Sequence, residues 1–389
     1  MNNILIGTSG WSYKDWLSVF YASSEKMFQQ YTSVFKTVEI DSSFYKPPTL
    51  GFIRAVANSS PSGFIFSLKA PKIITHLKLL DLEKGAMRDL RLFLSVLAPL
   101  KNSGKLGPVL FQLPPKPVES LKGFKEFIES LPEDCRFAVE FRDPSWMKDE
   151  VFKLLSENHI GHCIVDEPLL PAVLKVTGEF SYVRFHGRGN RPWYYYDYRL
   201  EELQEWKSKL GELSSKSKKV YVYFNNHFKG YAVKNALQMM KIVGSIEKPQ
   251  EEALNKILNY FTEEGVKRTV SRVKAALTSG GEEDVEKLVQ AFLEGGRFER
   301  AKELMDKVIV EEMGKTVIRA RIKEYHVTVD VVERRLGHNC DDWAKRAGQK
   351  QFCKHVAAFF LALEQKESVR ILTDVCRNLS SWLFETDAK

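Results

Sequence analysis

Eight short apolar runs recur through the first 226 residues, at 4–7, 37–41, 63–69, 107–112, 136–142, 160–166, 180–186 and 219–225. Most end in a polar or charged residue, and most are separated by stretches long enough for a helix. Strand and helix in alternation, eight times over, predict an α/β fold of the TIM-type (β/α)8 class. Helices are expected near 25–35, after 49, and at 84–100, 121–131, 148–157, 200–210 and 233–243. Only a short proline-containing connection follows the sixth strand. Barrels of this class place their chemistry at the carboxyl ends of the strands. Here those ends carry Glu39, Asp41, Lys69, Gln112, Glu140, Arg142, Arg184, His186 and Asn225.

Alternation within each run sorts these residues. Ala138, Glu140 and Arg142 share one face, as do Glu39 with Asp41 and Arg184 with His186. In 219–225, Val220, Val222 and Phe224 form an apolar face for the helices, leaving Tyr221, Tyr223 and Asn225 inward. Several strands therefore aim ionisable groups at one mouth.

The pattern changes around 244–250. Residues 251–311 read as helical, broken by Gly280–Gly281 and Gly295–Gly296. Residues 316–332 then alternate and predict a small strand pair. A segment rich in cysteine and histidine follows, then an apolar helix at about 353–364. The expected organisation is a barrel over 1–245, a helical linker over 246–315 and a small α+β zinc-binding domain over 316–389.

Composition narrows this picture. The 389 residues, 44% of them hydrophobic, exceed what one ordinary barrel needs. No run approaches the roughly 18 apolar residues of a membrane span, so no membrane association is expected. The start, MNNILIGTSG, lacks a secretory signal, which leads to the expectation of a cytoplasmic protein. The five cysteines are odd in number and do not have the spacing of a disulfide scaffold. The formal charge of +8 falls wholly within residues 1–248, and the remainder is neutral. A basic barrel suits an anionic ligand, phosphorylated or nucleic acid.

The sharpest local motif is GHNCDDWAKRAGQKQFCKHVAAFFLAL. It sets His338 and Cys340 as H-x-C and Cys353 and His355 as C-x-H, twelve residues apart. Two close pairs of nitrogen and sulfur ligands suit one tetrahedral zinc per chain, structural because the protein supplies all four donors. The segment resembles the SWIM zinc finger, with His338 where that family has its first cysteine. The resemblance implies binding to nucleic acid or to another protein.

The barrel half carries a second resemblance. GTSGWSYKDW, VEIDSSFYKPP, FSLKAPKIITH, GPVLFQLPP, AVEFRDPSW, VRFHGR and VYVYFNNHFKGYAVKNA occur in that order over about 3–245. Together they resemble the YecE-like family (domain of unknown function 72), which implies a TIM-type barrel with no settled activity. Asp41 stands where that family usually shows asparagine.

Read as chemistry, Glu39 and Glu140 are candidates for general base and acid. Lys69 suits polarising a carbonyl or holding phosphate. Arg142 and His186, beside Arg184 and Arg188, suit proton shuttling or anion contact. Gln112 and Asn225 offer neutral hydrogen bonds, and His76 is a weaker candidate. Trp11, Tyr13, Trp16, Tyr45 and Trp146 offer walls for stacking a ring. A metal at the mouth would draw on Glu39, Asp41, Glu140, Asp166 and His186, but no motif spacing supports one. The favoured reading is an enzyme doing acid–base chemistry on an anionic substrate. The alternatives are a non-catalytic binder of a phosphate ligand or nucleic acid, and a sugar-isomerase-like activity.

Overall fold

The computed structural model describes residues 3–189, 192, 194–278 and 284–387. Arg191 and Trp193 of the loop after the seventh run, and the expected break at Gly280–Gly281, lie outside the described residues. Two compact units divide the chain between Leu258 and Asn259, a boundary that falls inside the helix Lys248–Thr278.

The first unit holds eight parallel strands: β1 (Ile4–Thr8), β2 (Thr37–Ile40), β3 (Ile65–Lys69), β4 (Leu106–Gln112), β5 (Phe137–Glu140), β6 (Gly161–Asp166), β7 (Phe180–Phe185) and β8 (Lys219–Phe224). Their order is β1-β8-β7-β6-β5-β4-β3-β2, so β1 and β2 stand at the two ends of the hydrogen-bonded series. These ends meet: Ser9 bridges Glu39, and Gly10 N donates to Glu39 O at 2.7 Å. A Cβ at Gly7 would lie 2.3 Å from the Thr37 carbonyl oxygen. The absent side chain lets the two backbones approach and makes the barrel nearly closed. Helices such as Leu50–Ser59, Ala86–Val96, Asp149–Glu157, Leu200–Lys216 and Tyr231–Ile242 follow the strands, where the apolar spacing predicts them. Inside the barrel, Leu110, Ala138, Cys163, Val165, Tyr182, Tyr221 and Tyr223 form a packed layer, and the charged residues lie above it.

The second unit is a five-stranded sheet with helices. Its strands are β9 (Val308–Met313), β10 (Val317–Ile322), β11 (Tyr325–Asp330), β12 (Arg335–His338) and β13 (Leu383–Thr386), ordered β13-β12-β11-β10-β9. Only the β12–β13 pair is parallel. The alternation that predicts the strand pair buries Ile318, Ala320, Ile322, Val327 and Val329 against the helices. The sheet is larger than the sequence suggests. Residues 308–313 are a strand, not helix; VIVEEM is β-rich, and pairing with β10 decides its state. The expected linker is also not a separate segment. Val273, Leu288, Val289, Phe292 and Ala301 belong to the same core as Trp343, Phe352 and Phe360. Among the described residues, no helix is long and apolar enough to cross a membrane.

Candidate functional site

Strand parity carries Glu39, Lys69, Glu140, Arg184 and His186 into the mouth of the barrel, all buried. Arg184 is the centre. Its Nη2 donates to Glu39 Oε1 at 2.6 Å and its Nη1 to Glu140 Oε2 at 2.7 Å. Glu39 also accepts from Ser9 Oγ at 2.8 Å and from Tyr182 OH at 2.6 Å. Glu140 Oε1 pairs with Arg142 and lies 3.3 Å from His186 Nε2. Arg142 reaches Glu167 as well, and its side chain is 15% exposed. Asn225 Nδ2 stands 3.0 Å from His186 Nδ1. One connected network thus joins Glu39, Arg184, Glu140, Arg142, His186 and Asn225 from strands far apart in the chain.

Charge within this network is settled locally. Burial opposes ionisation of Glu140, but Arg142 and Arg184 outweigh it and hold the carboxyl well below its usual range. Burial, reinforced by Arg142, pushes His186 down to about 3, so the imidazole is neutral. Arg142 Nη2 stands 2.9 Å from His186 Nε2, and because a guanidinium can only donate, Nε2 is the accepting nitrogen of the ring. Burial and then Glu39 raise Asp41. Lys69 differs from the rest. Its residue is 8% exposed, and Nζ sits 3.9 Å above the Phe44 ring. Among the described residues, Nζ makes no ion pair or hydrogen bond. Burial and the repulsion of Arg184 bring its ammonium down to about 8.

Other expected residues stand apart from this network. Arg188 turns away to Asp166, at 2.7 Å, and to Glu205. Gly187, at φ 102°, breaks the alternation that would have kept Arg188 inward. Asp166 accordingly faces Arg188, Tyr198 and Trp206 rather than the mouth. Of the donors named for a metal at the mouth, Asp166 is thereby set apart from Glu39, Glu140 and His186. Gln112 Nε2 donates to the neighbouring Leu113 carbonyl at 2.9 Å. Trp11 packs on Phe28 and Phe52, and Tyr45 is 73% exposed beside Phe44. Trp16 and Trp146 are fully buried under loops. Tyr13 does form a stack, parallel to His227 at 4.5 Å, which in turn stacks on Tyr194 at 4.9 Å. His76 contacts the other edge of the Lys69 environment, packing edge-on to Phe44 at 4.9 Å.

Ser9, Phe44, Cys163, Glu167 and Tyr182 were not anticipated. Parity from Tyr221 and Arg184 points to Tyr182, and parity from Cys163 points to Glu167. Ser9 has no such signal, because its contact with Glu39 exists only where β1 meets β2.

The second unit holds a separate cluster. His338 ends β12. Cys340 precedes the turn Asp341–Ala344, and Cys353 caps the helix Lys354–Ala362, which contains His355. One donor atom from each of the four, all buried, lies within 4.8 Å of the others. Cys340 Sγ accepts from Trp343 N at 3.3 Å and Cys353 Sγ from Val356 N at 3.5 Å. His338 Nδ1 bonds the His326 carbonyl, which can only accept, so the proton is on Nδ1. The lone pair of Nε2 then points into the cluster, buried and unpartnered, as does Nδ1 of His355. Two thiols and two orphaned imidazole nitrogens at this separation are a donor set that could bind a metal ion.

The barrel has relatives. The curated UPF0759 protein YunF of Bacillus subtilis is 32% identical over 270 residues, covering 62% of this chain and 94% of YunF. A DUF72 family protein of Thermotoga maritima superposes with a TM-score of 0.57 at 31% identity, covering 62% of this chain and 99% of its own. One from Enterococcus faecalis gives 0.53 at 26%, covering 63% and 97%. The family described as Protein of unknown function DUF72 matches residues 5–257, the span that holds the barrel strands, but for Ile4 at the start of β1, and the charged mouth, and the chain belongs to that family.

Proposed function

We propose that the barrel mouth is the active site of an enzyme that does acid–base chemistry on an anionic, polar substrate. The observation that carries this reading is Lys69. The buried charges of the Arg184 network have partners at hydrogen-bond distance, whereas the Lys69 ammonium has none among the described residues and feels Glu140 and Glu39 only from further away. A buried cation without a counter-ion is unfavourable unless a ligand supplies the charge. In this reading Lys69 and Asp41 exchange protons, and Arg142 reaches the anion. Glu39 and Glu140 hold Arg184 and Arg142 in place. The Tyr13–His227–Tyr194 stack offers a wall for a ring.

Thermal unfolding in inorganic phosphate tests the anion site. Phosphate should raise the barrel transition of the wild type and not that of Lys69→Gln or Arg142→Gln. An equal rise in all three, or none in the wild type, refutes the reading. Turnover lost in Lys69→Gln with phosphate binding retained in Asp41→Asn would separate an enzyme from a binder.

For the second unit we propose a SWIM-type module that holds one structural zinc through His338, Cys340, Cys353 and His355. The spare lone pairs of the two histidines support it. Several of its outward arginines are engaged by carboxylates: Arg319 with Glu312, Arg321 with Glu311, Arg335 with Glu385 and Asp387. Those pairs favour a protein partner over nucleic acid, because phosphates would have to displace them.

A further inference from the structure

Lys69 combines four properties that a proton carrier alone does not need. It lies at the carboxyl end of β3, where substrates of such barrels bind. Its backbone is fixed by Ser43 Oγ, which donates to the Lys69 carbonyl at 2.6 Å and also contacts that of Ile40. Its amine rests 3.9 Å over the Phe44 ring, an apolar support that excludes water from one side. Burial above all, and then Arg184, disfavour its ammonium form; Glu140 and Glu39 oppose them and Arg142 adds to them, and the balance shifts toward the neutral amine. A lysine held in a dry pocket beside other cations is an amine available for covalent chemistry.

We propose that Lys69 is a nucleophile that forms an imine with a small carbonyl compound bearing a carboxylate or phosphate group. This rests on reading the mouth as an anion site. The Nζ lone pair of the neutral amine adds to the carbonyl carbon. A C–N bond forms, the C=O π pair moves to oxygen, and that oxygen takes a proton, giving a carbinolamine. Nζ then loses a proton, the hydroxyl leaves with a proton as water while the C=N bond closes, and the resulting iminium gives up its remaining N–H proton. Amine plus carbonyl thus yields imine plus one water, with no oxidant or reductant.

The surroundings suit each step. Asp41 is partly buried and raised by burial and Glu39, so it can hold the proton that the oxygen receives. Its charge is coupled to both Lys69 and Arg184. His76, packed on the same Phe44 ring, is brought down to about 4 by burial and Lys69, and so is a neutral base. Arg142, whose Nη atoms engage Glu140 and Glu167, keeps an Nε without a hydrogen-bond partner, and that N–H is what it offers the anionic group that distinguishes this substrate class from simple aldehydes and ketones. Arg184, fully buried between two glutamates, sets the field without touching the substrate.

Reductive trapping on the full-length protein is the test. Pyruvate supplies a carboxylate and dihydroxyacetone phosphate a phosphate; hydroxyacetone is the uncharged control. Each is incubated with the protein, borohydride is added, and the modified lysine is located by peptide mass spectrometry. The expected result is a reduced adduct at Lys69 with at least one anionic probe. It should exceed the hydroxyacetone adduct by about tenfold, the factor expected of one charge-assisted contact. The adduct should be absent in Lys69→Arg, which retains the charge and serves as the folded control. No adduct at Lys69 with either anionic probe overturns the imine. An equal yield with hydroxyacetone overturns the substrate class. If trapping fails while phosphate still raises the wild-type transition, the anion site survives without the imine; if phosphate has no effect either, both readings fall.

Discussion

Both units bury a cluster of polar side chains, and they solve the resulting problem in opposite ways. In the barrel mouth the solution is internal. Arg184 sits between Glu39 and Glu140, and Glu140 also engages Arg142. Opposite charges at hydrogen-bond distance offset most of the desolvation, provided that all are present. In the second unit the donors do not pair among themselves. His338 Nε2 and His355 Nδ1 converge with two cysteine sulfurs and lack hydrogen-bond partners. A set of lone pairs aimed at one point calls for a cation from outside the chain. The difference teaches where each unit is vulnerable: the mouth to loss of one of its own members, the cluster to loss of its proposed metal.

The largest effect should come from the metal. Zinc binding contributes about 10–16 kcal/mol to small structural modules. Cys353→Ser, or a strong chelator, should release about one zinc per chain. Hydrogen exchange should then show lost protection near residues 316–364 and unchanged protection in β1–β8. Full zinc retention by the variant would refute the ligand set and erase the contrast.

Next comes the mouth. Arg184→Met strands two buried carboxylates and should destabilise the barrel by about 3–5 kcal/mol in urea unfolding. Adding Glu39→Gln and Glu140→Gln to that variant should recover much of the loss. If the triple variant is no better than the single one, mutual neutralisation is not what holds the mouth together.

A smaller effect concerns pH. His186 takes up a proton in the fold only near pH 3, but near 6.5 when unfolded. Its contribution is therefore complete above 6.5 and is lost as pH falls toward 3, by at most about 1.4 kcal/mol per pH unit. Glu167 acts with the opposite sign. Burial raises it from 4.5 to about 6, so the fold holds its proton more tightly and gains stability as pH drops through that window. Urea titrations from pH 7 to 4 should show a shallower decline in His186→Gln and a steeper one in Glu167→Gln. The smallest loss is expected for Lys69→Met, which removes a charge that burial disfavours and should leave the unfolding free energy no lower than that of the wild type. A loss as large as that of Arg184→Met would mean that Lys69 is structural.

Much of the barrel was legible because strands buried on one face and helices packed on the other impose separate periods on the sequence. The runs at 136–142, 180–186 and 219–225 announce both their strands and their inward faces. The limits are equally local. Arg188 obeys the parity of β7 in the sequence but leaves the mouth at Gly187, a backbone turn that no side-chain pattern reports. Asp166 ends an apolar run, yet belongs to the outer face with Trp206. VIVEEM reads as the tail of a helical region because its partner strand lies beyond it in the chain.

The sequence by itself determined which residue types would meet: alternation selects the inward carboxylates and guanidinium groups, and the paired H-x-C and C-x-H spacing selects the four donors of the second unit. Only the tertiary structure decided how they are used. Whether a buried charge is paired depends on distances between strands brought together by barrel closure, and that closure sets Arg184 between two glutamates while leaving Lys69 with none.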